Sequence, residues 1–506
     1  MTDPTISSTG RSPAHDRPAF YVLNTRTLFV VLYAASLFLI AVRPTLDPDM
    51  WWHLRTGEYI LQQGIPHHDV FSYTVVDHRW ITHEWLSEVV MWLIYSSGGF
   101  PALILSFAAV IAVSFWLIYL ISEGRPYLAS FVGLLSAFAS APLWGARPQM
   151  FNILFLALFL FLVEKVRRGS LTVRAFWWFP ILTVLWANLH SGYLTGIALL
   201  ALYCFGDAAQ CLLRRWLPSI GSGLTLRQAG TLALATGGSL FAAALNPNTF
   251  RLWAYPFETL GSPSMQQFIQ EWQPPDFRLH IFWPFVALLL LGVMGWLFGK
   301  RPGLTEILLF LGTGAAGMVS VRNIPLFAVV AAPIVSRALC SLIAGAGAQD
   351  AKGHRDAREN PARLLLLNAA LVGVFFLAGA LWVGRTVAGN EEAIRQRYPV
   401  AAVDFLQAQG LASARGYNDY GWGGYLIWRG ISVFVDGRAD VYGDDFLFFY
   451  QQTAQLQPNW REPLDQFAVD YVLVQRRSPL ATMLSEVDGW REAYSDDMAR
   501  IFVRSR

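Results

Sequence analysis

About eleven apolar runs of near-bilayer length recur along this chain, at roughly 27–43, 101–121, 127–144, 149–165, 175–189, 192–213, 229–245, 281–299, 304–320, 324–341 and 364–383. A helix crosses hydrocarbon with about 20 apolar residues. Only 14% of the residues are charged and 54% are hydrophobic, whereas about a quarter of an ordinary soluble chain is charged. The pattern predicts an α-helical polytopic membrane protein. Segment 84–96 is apolar but short, and it carries Glu84 and Glu88; it reads as a helix lying at the membrane surface. The three cysteines, Cys204, Cys211 and Cys340, lie in apolar runs and read as packing thiols. A net charge of +3 makes no case for a nucleic-acid partner.

Basic residues alternate from loop to loop. One side collects Arg11, Arg17, Arg26, Arg125, Lys165, Arg167, Arg168, Arg174, Arg214, Arg215, Arg227, Lys300, Arg301, Lys352, Arg355, Arg358 and Arg363. The positive-inside bias makes that side cytoplasmic. No small-residue cleavage pattern follows the first run, which predicts a retained anchor. The expected organisation is a cytoplasmic tail (1–26), a membrane domain (27–383) with a large first outer loop (44–100), and a periplasmic domain (384–506). That last part turns soluble in composition. It alternates a helix at 398–410, helices near 444–456 and 479–486, and strand-like runs at 425–428, 432–436, 470–474 and 500–503, which predicts a small α/β domain.

The predicted outer loops hold the residues that need explaining. The first contains DPDMWWHLRTGEY, with Asp47, Asp49, Trp51, Trp52, His53 and Arg55, then His67, His68 and Asp69, then His83 and Glu84. Two acids beside two tryptophans suit a sugar or a phosphate-linked headgroup. They also suit solvated loop acids capping a helix at Met50 beside an interfacial aromatic belt. The histidines show no HExxH or CxxC spacing, so their pattern favours structural or solvated roles over a metal site.

Arg147, Arg251, Arg278 and Arg322 stand near span ends, where snorkelling is the plain reading. Arg322, in VRNIP, fits that reading least. Arginine grips phosphate in a bidentate fork, so Arg322 and Arg147 are the candidate donor-phosphate ligands. Glu271, beside Trp272, is a candidate ligand or a solvated acid. Asn188 and His190 either line a cavity or cap a helix. In the soluble part, YNDYGW and VDGRAD bring Asp419, Trp422, Asp436 and Arg438; the alternative there is a turn in which Arg438 pairs with its flanking acids. No P-loop, dinucleotide fingerprint or GxSxG elbow is present.

Taken together, these motifs resemble the GT-C superfamily of membrane glycosyltransferases, which use polyprenyl-phosphate-linked sugars and include oligosaccharyltransferase catalytic subunits and protein mannosyltransferases. Asp47 and Asp49 stand where that family has its first-loop acidic motif. Arg322 stands where the late outer loop grips donor or acceptor, and Tyr417–Trp422 followed by VDGRAD looks like the WWDYG region. Tyr417 and Asn418 replace the two tryptophans, and ARPQM stands where a DxD motif is common. The first departure removes support for sequon recognition, and the second puts metal dependence of the oligosaccharyltransferase kind in doubt. The first loop also resembles that of uncharacterised bacterial membrane proteins beginning DxDxWWHL.

The resemblance implies a GT-C-like bundle of about eleven spans with a small C-terminal α/β outer domain. It implies a glycosyltransferase of a bacterial inner membrane, transferring a hexosyl or pentosyl group from a polyprenyl-(di)phosphate donor to a lipid, glycan or protein acceptor. Asp49 and Asp47 are then catalytic. Arg322 and Arg147 bind donor phosphate. Trp51, Trp52, His53, Arg55, His83, Glu84, His190, Glu271, Trp272, Asp419, Trp422, Asp436 and Arg438 contact substrate. Magnesium or manganese is left open as a cofactor, with Asp47, Asp49 and Glu271 as ligands. The competing class is a transporter or scaffold with an outer binding domain. Against it, the spans carry few acids at mid-helix, where a transport pathway needs them.

Overall fold

The computed structural model describes residues 23–214, 216, 223–347 and 361–505. The tail up to residue 22, Arg215, and the link with Lys352, Arg355 and Arg358 lie outside them. Every predicted span is a helix: α1 (Thr25–Ala41), α3 (Trp85–Ile121), α4 (Tyr127–Ser140), α5 (Gln149–Arg167), α6 (Trp178–Leu189), α7 (Tyr193–Leu213), α8 (Leu226–Ala242), α11 (Trp283–Phe298), α12 (Leu304–Val319), α13 (Ile324–Gly347) and α14 (Pro361–Ala388). Between them lie α2 (Met50–Gln63), α9 (Arg251–Gly261) and α10 (Pro263–Phe268). Among the described residues, six helices are long and apolar enough to cross a membrane, and four more are shorter apolar helices.

The expected helix over 84–96 is present from Trp85 and is set off by a kink from the span that follows; the two together are α3. The chain bends at Gly98 and Gly99, where Gly99 takes φ 63°, a conformation that only glycine adopts cheaply. Pro101 then opens the second, membrane-crossing part. α13 lies at the centre, packed on α4, α11 and α12, and Phe327 to Ala332 are wholly buried. α14 packs on α1 at the edge, with only 11% of its most apolar window covered.

α2 is amphipathic. Its apolar face meets α3 and the C-terminal domain. At the α2–α3 crossing, a Cβ on Gly57 would stand 2.1 Å from the Glu88 carbonyl oxygen, so the two backbones approach as only glycine allows.

Beyond α14, α15 (Asn390–Arg397) and α16 (Val400–Ala408) lead into a four-stranded sheet with order β1-β2-β4-β3. The strands are β1 (Gly416–Asn418), β2 (Tyr471–Gln475), β3 (Trp490–Ser495) and β4 (Ala499–Arg504). β1 runs parallel to β2, and the other pairs are antiparallel. α17 (Gly423–Trp428), α18 (Ala439–Ala454), α19 (Glu462–Gln466) and α20 (Pro479–Glu486) complete the domain.

Two expected strands are not in that sheet. YLIW is helix α17, because Gly423 and Gly424 let this turn press onto the Val435 carbonyl and the Pro48 carbonyl of the first loop. Residues 432–436 are extended but pair with the first loop instead: the Val433 N–H donates to Phe71 O, and the Tyr73 N–H donates to Val433 O, both at 3.2 Å. The first loop and the C-terminal domain are therefore one packed unit.

Candidate active site

The first-loop acids form a tight turn. The Asp49 N–H donates to Asp47 Oδ1 at 3.0 Å. Asp49 precedes α2 without bonding the helix end; its Oδ1 instead accepts from Trp52 Nε1 at 3.0 Å. Arg147, from the loop before α5, bridges two acids. Its Nε lies 3.2 Å from Asp47 Oδ2 and its Nη2 2.7 Å from Glu271 Oε1.

The C-terminal domain roofs this cluster: a Cβ on Gly437 would stand 2.1 Å from Asp49 Oδ1. Burial pushes the Asp47 and Asp49 carboxyls up, Asp49 to about 7, with the negative charge of Asp47 adding to the effect. Burial works the same way on Glu271, but Arg147 and Arg322 outweigh it and hold Glu271 below the ordinary range. Asp47 and Glu271 thus share one buried arginine, and Asp49 beside them has no cation in contact among the described residues.

Beside the acids lies a second cluster, centred on Glu84. His83 Nε2 and His190 Nε2 both stand 3.2 Å from Glu84 Oε1, and His53 Nε2 stands 3.6 Å from Oε2. His83 Nδ1 faces the Ile81 carbonyl at 3.1 Å. Both of its nitrogens meet acceptors, which assigns it as imidazolium. Burial opposes that charge, but Glu84 outweighs burial and raises the His83 pKa. His190 Nδ1 accepts from the Gly192 N–H at 2.7 Å, so its proton is on Nε2. Burial holds His53 and His190 down at about 3, and the Gly192 N–H on its Nδ1 fits a neutral His190.

A groove of about 830 Å³ opens next to these clusters. Its apolar walls are Ile153 and Leu156 of α5, Leu194 and Ile197 of α7, and Leu326 of α13; its polar end carries His190, Trp272 and Arg322. Arg322 lies over the Trp272 ring, 5.3 Å from its centroid. Gln149 and Trp272 line the groove, two residues from Arg147 and one from Glu271. The groove therefore abuts the acid cluster. His190 lines the groove and bonds Glu84, and it also stands at the helix ends, as the C-cap of α6 with its Nδ1 taking the Gly192 N–H before α7, so both alternatives hold for it.

The remaining expected residues have other positions. Trp51 is 1% exposed and meets Phe100, Tyr398, Tyr425 and Trp428 ring to ring. It seals α2 to the C-terminal domain and has no free face for a sugar. Trp52 keeps its bond to Asp49 and lies against His53, ring centroids 3.6 Å apart. Arg55 pairs with Glu58 on the outer side of α2, away from the acids. Arg147 is taken up by Asp47 and Glu271, which leaves Arg322 as the cation facing the groove.

Asp419 accepts from the Gly421 N–H and from Gln475, and Trp422 is buried. Arg438 and Asp436 are buried together. Asp436 takes two bonds from Arg438, at 2.8 and 2.6 Å, while Asp69 stands 2.7 Å from the same guanidinium. The guanidinium also lies against the Phe71 and Trp80 rings, 5.1 and 4.6 Å from their centroids. This group ties the first loop to the C-terminal domain.

Sequence reasoning missed Gly437 and Tyr255. Tyr255 lies against His83 at 4.3 Å and donates to Asp440 Oδ2 at 3.2 Å; Asp440 is the second acid of VDGRAD, whose partner the sequence did not reveal. The expected metal ligands do not fit a divalent ion. Arg147 occupies the space between Asp47 and Glu271, and among the described residues no three His, Cys, Asp or Glu side chains are grouped to hold one.

This architecture is shared with solved structures. The chain matches ArnT from Cupriavidus metallidurans in the apo state with a TM-score of 0.54 at 15% identity, covering 94% of this chain and 97% of that one. It matches the archaeal oligosaccharyltransferase AglB from Archaeoglobus fulgidus, solved with an inhibitory peptide and a dolichol-phosphate, with a TM-score of 0.51 at 12% identity, covering 95% of this chain and 74% of that one. The chain shares its fold with these two proteins over nearly its whole length. No family model and no curated protein matches the sequence.

Proposed function

We propose that this protein is a membrane glycosyltransferase that moves a sugar from a polyprenyl-phosphate donor to an acceptor hydroxyl or amine at one face of a bacterial inner membrane. The basic-residue bias supports the outer face. The prenyl tail lies in the apolar groove, and the donor phosphate meets Arg322 at its polar end.

The acceptor atom attacks the anomeric carbon and gives its proton to Asp49. The bond from that carbon to the phosphate oxygen breaks, and the phosphate leaves with the electron pair, stabilised by Arg322. Asp47 fixes the turn that aims Asp49, and Arg147 balances Asp47 and Glu271. Trp272 and Trp52 flank the sugar. The observation that carries this reading is a half-buried acid with no cation in contact among the described residues, close to an apolar groove whose lining includes one arginine. A general base works best with a pKa near the working pH.

The test is transfer by the purified protein from a panel of polyprenyl-phosphate sugars. Asp49→Asn is expected to lower turnover by roughly 10²–10⁴ with little change in donor affinity. Arg322→Ala is expected to weaken donor binding. Full turnover in Asp49→Asn, or unchanged donor affinity in Arg322→Ala, overturns the corresponding assignment.

A further inference from the structure

A second cavity, of about 340 Å³, opens at the opposite end of the bundle. α5 runs from Gln149, on the groove, to Arg167, on this cavity. Along α5 the groove reaches Leu156 and the cavity begins at Glu164, a separation of about 12 Å. The cavity gathers the ends of α5, α7 and α11 and the start of α12, with α13 along one side. Two basic clusters far apart in sequence, Arg167–Arg168 and Lys300–Arg301, meet here.

The inner wall is locked. Arg337 binds Glu306, Glu123 at 3.2 Å and Glu164 at 3.0 Å. Arg167 binds Glu164 at 2.7 Å and Asp207 at 3.0 Å. The mouth is different. Lys300 and Arg301 are exposed and form no ion pair among the described residues, and Arg168 reaches Glu164 only at 3.6 Å. A loop bias toward positive charge accounts for basic residues on one side. It does not account for three of them ringing a chamber whose wall is held rigid by buried ion pairs.

We infer that this cavity binds an anionic phosphate group, either the headgroup of an anionic lipid in the leaflet opposite the active site or free phosphate. Two arginines offer planar forks and Lys300 a point charge, the donor set that phosphate oxygens accept. The cavity lies at the small end of ligand-site volumes, about 300–1,000 Å³, and its charged lining suits a headgroup rather than a tail. This inference stands apart from the transferase proposal and does not need it.

The full chain is placed in phosphatidylcholine nanodiscs with and without phosphatidylglycerol, and co-purifying lipid is measured by mass spectrometry. Thermal melts in phosphatidylcholine alone, with and without inorganic phosphate, form the second arm. Lys300→Gln with Arg301→Gln removes two exposed charges and is the comparison; Arg168→Gln repeats the measurement if that double variant melts early.

Selective retention of phosphatidylglycerol, roughly thirty-fold weaker in the variant, supports the site with a lipid as its source. A melting shift with phosphate alone, absent from the variant, supports it with free phosphate as its source. Equal behaviour of parent and variant toward both probes, or no preference for either, overturns it.

Discussion

Asp49 owes its chemistry to what surrounds one carboxyl group. Burial and the neighbouring Asp47 raise it to about 7, from about 3.9 in an unfolded chain. Its basic form therefore grows in as pH rises through about 7, and transfer is expected to increase across that range along a single ionisation. Stability moves the other way. The folded state binds the extra proton between those two values, so stability falls as pH rises from about 4 to about 7. Thermal melts across that range are expected to show this slope, and Asp49→Asn to lack it. Gly437 bears on the same atom. Gly437→Ala places a methyl 2.1 Å from Asp49 Oδ1 and must displace the acid or the roof. The expected outcome is a fall in turnover of at least about tenfold with a melting temperature near the parent's, measured side by side.

At the scale of elements, α2 decides where the acids sit, and its crossing with α3 fixes α2. Gly57 makes that crossing possible because the Glu88 carbonyl lies where a side chain would begin. The obstacle is backbone, so no side-chain motion relieves it. Gly57→Ala is expected to cost about 1–3 kcal/mol, read as a lower melting temperature. Turnover should fall with it, because the turn from Asp47 to Asp49 leads directly into α2.

For the whole molecule, the buried group of Arg438, Asp436 and Asp69 joins the C-terminal domain to the membrane bundle. Tyr442 adds a fourth bond, its hydroxyl donating to Asp436 at 2.7 Å. Arg438→Met leaves two acids buried without a cation and is expected to destabilise by about 3–5 kcal/mol. Chemical unfolding measures this, and protease nicking between α14 and α16 reports release of the domain. Adding Asp436→Asn and Asp69→Asn to Arg438→Met is expected to restore much of the loss, because the cost lies in the uncompensated charge. The flanking-acid reading of VDGRAD was right about Asp436; the third partner, Asp69, lies more than three hundred residues earlier in the chain.

The sequence by itself determined the membrane helices, because hydrophobic length is a local property. It also determined α16, α20, β2 and β4, whose apolar residues are the ones their own packing buries. It put Asp47, Asp49, Glu271, His190 and Arg322 on one face. Tertiary structure decided everything that depends on a partner. YLIW is a helix because two glycines dock it on Pro48. Residues 432–436 pair with the first loop, while the Asn418 side chain of β1 takes up the Phe434 N–H and the Val435 carbonyl that a ladder would have used. β3 escaped notice because its mostly polar sequence, WREAYS, is largely exposed. Trp51 became packing, Arg147 an ion-pair partner, and Asp49 the acid without a cation, since burial and charge at each depend on segments hundreds of residues away.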